Sequence, residues 1–351
     1  MTKSNDTGRI SFFAYLFFYP RIASRISVAL LAAVLQSPAF FSSCAATKEE
    51  KEESSVLRTK VQIYIQWSEN PTPDALDVFF FFQEEPRHLD AYQQITEWDQ
   101  GRTVYALSGN GDRHLVALSG TAGDIYSWTD IQTYGSLGKL LFSLEDENPA
   151  RPRLIGEADL DQAQSRQTYL TLHPMLCAIR IRSVACDFSK RPYADLPFIN
   201  NKLYVLNAGW ECLPVGDTGG GPVSWMNQGR LDSAAVFRLP RPEMLLQEGC
   251  GAIGKARVSP DRTFYCYANP ATEDGLGASV TRMVLEGSIG GITCYYPISL
   301  PGMTPGTCYE LDLTLTKMGS PDPGIPVESG TVIVEAGSVP WESREPETLT
   351  F

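Results

Sequence analysis

The stretch Gly249-Cys250-Gly251-Ala252-Ile253-Gly254-Lys255-Ala256 comes nearest to spelling out a chemical site. It matches G-x-G-x-x-G and nearly matches the phosphate-cradling G-x-x-x-x-G-K-[ST]. The second pattern needs a hydroxyl after the lysine, and Ala256 has none. Both need a following helix whose N-terminus holds the phosphate, and Pro260 soon breaks any helix there. The stretch therefore reads as a glycine-rich loop. Seven cysteines follow residue 44, at 177, 186, 212, 250, 266, 294 and 308, with no C-x-x-C pair. The three histidines, His88, His114 and His173, are far apart, so no zinc ligand set is assigned. Several of these cysteines lie in apolar segments and suit buried thiols. There is no G-x-S-x-G nucleophile elbow. Glu84-Glu85 and Asp217 are acidic, but nothing sets two carboxylates across a sugar. Six tryptophans remain: Trp67, Trp98, Trp128, Trp210, Trp225 and Trp341. Trp210 and Trp225 bracket a loop containing Gly219-Gly220-Gly221, and suit either sugar stacking or sandwich-edge packing, with packing favoured. No catalytic residue, metal or cofactor is assigned, and the chain is not expected to be an enzyme.

Cys44 carries a different chemistry. Arg21 and Arg25 precede the apolar run Ile26–Leu35, and Phe41-Ser42-Ser43 then leads to Cys44. A positive flank, a short apolar stretch and small residues at a cleavage point make a signal peptide. A cysteine at the first mature position resembles a bacterial lipobox, whose thiol takes a diacylglycerol. Phe41 stands where an aliphatic residue is usual. Gln36 and Pro38 interrupt the run, which is short for a membrane span. Lys48-Glu49-Glu50-Lys51-Glu52-Glu53 follows, a tether too charged to bury apolar surface. The chain reads as anchored to a membrane through Cys44, not spanning it.

Removing residues 1–43 from a 351-residue chain leaves enough for two ordinary domains. The net charge of −12 gives no reason to bind nucleic acid, whose phosphates need Lys and Arg.

The elements that must position these residues are strands. Val61–Trp67 alternates, Leu76–Phe82 reads as a buried strand, and Thr103–Leu107 and His114–Ser119 flank the turn signal Gly109-Asn110-Gly111-Asp112. Residues 124–134 and 136–144 read as short helical or irregular crossings. Further strands are expected at 176–184, 202–207, 263–267, 279–286, 289–298, 308–316 and 331–336. Many short strands with turns at this spacing predict an all-β chain of two tandem antiparallel β-sandwiches. The expected division is signal peptide 1–43, acidic tether 44–58, first sandwich 59–165 and second sandwich 166–351.

Several stretches resemble the Bacteroidales fimbrial subunits: Asp187–Tyr193 with Lys202–Ala208, Thr293–Ile298, Cys308–Thr316, Gly319–Val327, and Val334 leading to Trp341. The first strand ending at Trp67 matches more loosely. The resemblance covers most of the mature chain and is most specific near its C-terminus. It implies two transthyretin-like sandwiches in a lipoprotein precursor of type V pili, located at the outer membrane and in the fimbrium. It implies partners that are other fimbrial subunits, joined by strand exchange, with the membrane held through the lipid on Cys44 and a host protein or glycan as adhesion target. A strand donated by one subunit fills the groove of the next. In shaft subunits an arginine-specific protease removes the first strand to open that groove. Here the loop 68–74 has neither Arg nor Lys, and the candidate processing residue is Arg58. A cut there frees the lipid and keeps the strand, so an anchor or accessory subunit is expected. The other reading is a surface lipoprotein that binds glycans through its sandwich loops.

Overall fold

The computed structural model describes residues 58–351 except 68–72, 98–101, 122–127, 163–164, 216–220, 261, 276–278, 329, 341–346 and 350–351. Cys44, the signal segment and the tether lie outside the described residues.

The chain is built of strands. In order they are β1 (Thr59–Gln66), β2 (Leu76–Phe82), β3 (Leu89–Ile95), β4 (Thr103–Ser108), β5 (Arg113–Ser119), β6 (Phe142–Ser143), β7 (Leu154–Leu160), β8 (Gln167–Thr171) and β9 (His173–Pro174). Then come β10 (Leu176–Cys186), β11 (Phe198–Leu206), β12 (Ala208–Cys212), β13 (Pro222–Met226), β14 (Leu246–Glu248) and β15 (Arg262–Tyr267). The last are β16 (Thr281–Ile289), β17 (Ile292–Leu300), β18 (Thr307–Leu315), β19 (Val332–Pro340) and β20 (Glu347–Leu349). The described α-helices are single turns, α1 (Tyr134–Leu137) between β5 and β6 and α2 (Ser233–Val236) between β13 and β14. No described helix is long and apolar enough to cross a membrane.

The first sandwich pairs a sheet of order β4-β1-β8 with one of order β3-β2-β5-β7-β9. β1 alternates buried and solvent-facing residues, as a strand covered on one face must. Val61, Ile63 and Ile65 point inward and meet Val78, Phe80, Leu115 and Leu170 in a closed core. β2 is buried on both faces because both are covered. Its other face, with Phe79 and Phe81, packs into the larger core that continues through the second sandwich. The second sandwich pairs a sheet of order β13-β12-β15-β10-β18-β19-β20 with one of order β14-β11-β16-β17.

The two sandwiches repeat one plan. β1 lies between antiparallel β4 and parallel β8, and β10 lies between antiparallel β15 and parallel β18. Two contacts tie the halves together, the second of them made to an ion pair of the first half. β6, from the crossing of the first half, pairs with Glu211 and Cys212 of β12. Glu147 and Arg153, both buried, form an ion pair at 2.9 Å. The hydroxyl of Tyr267, on β15, donates to the same carboxylate at 2.8 Å.

Strands of the first pair of sheets extend to Pro174, past the division at residue 165 read from the sequence, because β8 returns parallel to β1 and completes its sheet. The single-turn crossings between residues 128 and 146 fall where the sequence placed them.

Candidate assembly interface

β1 occupies a seat made by its neighbours. Its backbone pairs on both sides, from Thr59 opposite Ser108 to Tyr64 opposite Thr103, and from Gln62 opposite Gln167 to Gln66 opposite Thr171. Val61 and Ile63 are fully buried, and Trp67 just beyond is 7% exposed. Each buried side chain of this size contributes about 1.5–3 kcal/mol, so the seat without β1 is a deep apolar groove between two unpaired edges.

Arg58 stands at the mouth of that seat. Its guanidinium donates to the Asp90 carbonyl at 3.0 Å and to Asp90 Oδ1 at 3.2 Å. Asp90 is a hub, and its side chain is only 6% exposed. Its Oδ2 also accepts from the Gly109 amide at 2.6 Å and from Arg113 Nε at 3.0 Å. Arg113 braces the turn between β4 and β5 by donating to the carbonyls of Asn110 and Asp112. Thr59 joins the same turn through Asn110 Oδ1 at 2.6 Å. Burial pushes the Asp90 carboxyl up, but the Gly109 amide, Arg113 and Arg58 outweigh it and hold the carboxyl below its usual range. The sequence singled out Arg58; its clasp by Asp90 is a contact across 32 residues that no local pattern reveals.

The other end of the chain carries the last two strands of the second sandwich, with the three-residue β20 pairing with Ala336–Ser338 of β19. β19 pairs along its whole length with β18, from Val332 opposite Leu315 to Pro340 opposite Thr307. Its inward residues are Val332, Val334 and Ala336, spaced two apart like Val61, Ile63 and Ile65 of β1. They border a slot of about 400 Å³, closed by Pro297, Leu300 and Leu311. The inner face of β19 is thus packed only in part, with Ala336 in the core and Val332 and Val334 half-buried beside the slot, where Val61, Ile63 and Ile65 of β1 are buried.

The remaining sequence candidates lie elsewhere. In the glycine-rich loop the Gly249 amide donates to the Asn201 carbonyl at 2.9 Å and the Cys250 amide to Asn201 Oδ1 at 2.7 Å. Ile253 bridges to Phe198, and no helix follows. Three of the backbone donors in the stretch, those of Gly249, Cys250 and Ile253, are spent on Asn201 and Phe198. The described cysteines from 177 to 308 are all free thiols, five of them buried. Cys177 and Cys266 are direct partners across β10 and β15. Burial pushes the Cys266 thiol up to about 12. Among the tryptophans, Trp67 is core and Trp128 packs edge-on to Phe79. Trp210 and Trp225 line one pocket. Trp98, Trp341 and Asp217 lie outside the described residues.

This architecture is that of solved cell-surface proteins of Bacteroidales. A protein from Bacteroides eggerthii ascribed to cell adhesion superposes with a TM-score of 0.56 at 17% identity, over 81% of this chain and 96% of that one. A protein from Parabacteroides distasonis, also ascribed to cell adhesion, gives 0.56 at 10% identity, over 83% and 98%. A fimbrilin from Porphyromonas gingivalis gives 0.55 at 13% identity, over 81% and 97%. The chain has their all-β sandwich fold over nearly the full length of each. No protein-family model matches this chain, and no curated protein matches it in sequence.

Proposed function

We propose that this chain is a structural subunit of a cell-surface fimbrium, assembling with other subunits by strand exchange and supporting adhesion. The observation that carries this reading is the pairing of one exchangeable seat with one exchangeable strand. β1 fills a groove flanked by two strands, and β19 offers a matching apolar period of two beside an unfilled slot. A strand entering the β1 groove gains two ladders of backbone hydrogen bonds and buries alternate side chains. The fold shared with a fimbrilin supports the same reading.

On this reading the chain is not an enzyme and needs no cofactor. Its sandwiches form a first domain ending near Pro174 and a second running onward from β10. Cys44 carries the lipid that holds it at the outer membrane. Arg58 is the processing residue. Cleavage there leaves β1 seated, which suits an anchor or accessory subunit. A shaft subunit would have to shed β1 by a cut between Ser68 and Leu76, where no Arg or Lys exists.

Electron microscopy of cells with and without the protein, joined to N-terminal sequencing of the protein from purified fimbriae, tests this. Loss or shortening of fimbriae and an acylated Cys44 are the expected results. Unchanged fimbriae that lack the protein would remove the structural role. A mature terminus between Ser68 and Leu76 would replace anchor with shaft.

A further inference from the structure

β13 is the edge of its sheet opposite β20, and β12 lies next to it. Trp210 on β12 and Trp225 on β13 line an open pocket of about 330 Å³ with Gln228, Arg230 and Asp232. In an unbroken ladder successive side chains point to opposite faces, and Gly209 is the residue opposite Trp225. Trp210 would then point away. The register shifts between Gly209 and Glu211, and a bulge of this kind re-aims a side chain. Both indoles thus reach one cavity.

Its polar groups are underused. The Trp225 indole N–H is shielded from water and has no acceptor among the described residues. A shielded donor of this kind calls for a partner. The Gln228 amide reaches only the Trp225 carbonyl, at 3.5 Å. Arg230 is exposed and makes no ion pair among the described residues. Asp232 spends one oxygen on the Ala235 amide and keeps the other.

We propose that this pocket binds a pyranose ring of a glycan, with Arg230 taking the carboxylate of an acidic sugar. Flat indole faces match the apolar C–H face of a pyranose, and the surrounding Gln228 amide and Asp232 carboxylate match its hydroxyl rim. A wholly apolar ligand would strand Gln228, Arg230 and Asp232 without partners. A nucleic acid needs several cations, and here one arginine stands beside an aspartate in a chain of net charge −12. The volume is at the low end for small-molecule sites, about 300–1,000 Å³, which suits the terminal residues of a glycan. The site is independent of β1 and β19 and stands whether or not the chain polymerises.

The test uses the full mature chain on a glycan array, followed by tryptophan-fluorescence titration with free saccharides ending in sialic acid, a uronic acid or a neutral hexose. Retention of acidic glycans and a saturable fluorescence change are expected. Trp210→Ala should weaken binding about tenfold or more, the loss of one stacking partner. Arg230→Ala, at an exposed position, should weaken acidic saccharides about tenfold and leave neutral ones unchanged. Thermal melts report folding of each variant. Should Trp210→Ala not fold, Gln228→Ala and Arg230→Ala carry the test. Binding of neutral sugars alone, indifferent to Arg230→Ala, overturns the carboxylate assignment. Absence of glycan binding at millimolar saccharide, or binding untouched by all three variants, overturns the site.

Discussion

Replacing Asp90 with alanine should loosen the mouth of the β1 seat. The carboxylate is the common acceptor for Arg113, Arg58 and the Gly109 amide. The Arg113 and Asp90 side chains are 5% and 6% exposed. Removing one partner of a buried ion pair costs about 3–5 kcal/mol, because the other charge stays buried without compensation. The Arg58 pair is different, since Arg58 is 41% exposed. Such a pair contributes about 0.2–1 kcal/mol, so its loss alone would raise the open fraction at Arg58 up to about fivefold. Two readouts separate these effects. Urea unfolding of Asp90→Ala should show a loss of about 3–5 kcal/mol. Limited digestion with an arginine-specific protease, followed by mass spectrometry of the new terminus, should show faster cleavage after Arg58. The pH arm has a definite sign. A carboxyl held below its ordinary 3.8 in the folded state stabilises the fold above that value, and the contribution is lost as pH falls through the folded value. The wild type should therefore lose stability more steeply than Asp90→Asn below about pH 4. An Asp90→Ala protein within about 1 kcal/mol of wild type, and cut after Arg58 at the wild-type rate, would refute the hub.

Further outcomes follow from other contacts. His114 is bonded to Glu157 at 2.9 Å and Asp159 at 2.8 Å. The Glu157 bond raises its pKa above 6.5 against the opposing effect of burial, with Asp159 adding to the rise. Its stabilisation is full below 6.5 and lost as pH rises through the folded value, so melts at about pH 5 and about pH 8.5 should differ less in His114→Gln than in wild type. Gly156 on β7 packs against the Thr171 carbonyl, so a Cβ there collides with backbone, and Gly156→Ala should cost about 1–3 kcal/mol in urea unfolding. Cys44→Ser should abolish membrane retention in cell fractionation, since each buried acyl methylene contributes about 0.8 kcal/mol. Equal fractionation of the two proteins would end the anchor argument. Titration with ATP should show no binding, and affinity that disappears in Lys255→Ala would contradict the spent amides of the glycine-rich loop.

How much of this was legible follows from what each strand buries. Leu76–Phe82 announces itself because both its faces are covered, every position before the last is buried, and Asp77 alone among its residues is polar. β1 announces itself by strict alternation. β3, Leu89–Ile95, goes unread because it is an edge strand with partly exposed positions throughout, so Asp90, Gln93 and Gln94 mask its period. β7 is interrupted by Gly156, Glu157 and Asp159, and β8 holds two apolar-facing residues among glutamine and threonine. β8 goes unread for this reason, and the expected division at residue 165 lies before it. Arg58 was readable as a residue type in a position. Its partner Asp90 sits on the unread β3, so the clasp was invisible. Trp210 and Trp225 were readable as a bracket around a loop, but the bulge that turns both into one pocket is a matter of register.

Under the proposed assembly, the repeated plan of the two sandwiches explains why one strand would be a lender and another a seat. β1 and β10 hold the same place, each between an antiparallel and a parallel neighbour. In the first sandwich the parallel neighbour, β8, ends its sheet among the described strands. In the second, β18 carries β19 beyond it. β19 is thus an addition outside the shared plan. Removing it leaves the β15-β10-β18 arrangement that the first sandwich shows is sufficient for its own fold. Removing β1 instead takes the middle strand of three and separates β4 from β8. A strand outside the plan is the cheaper one to give up, and a vacancy inside the plan gains most from being filled. Under the proposed assembly, the direction of exchange from the C-terminal edge of one subunit to the N-terminal sandwich of the next follows from this asymmetry in strand position.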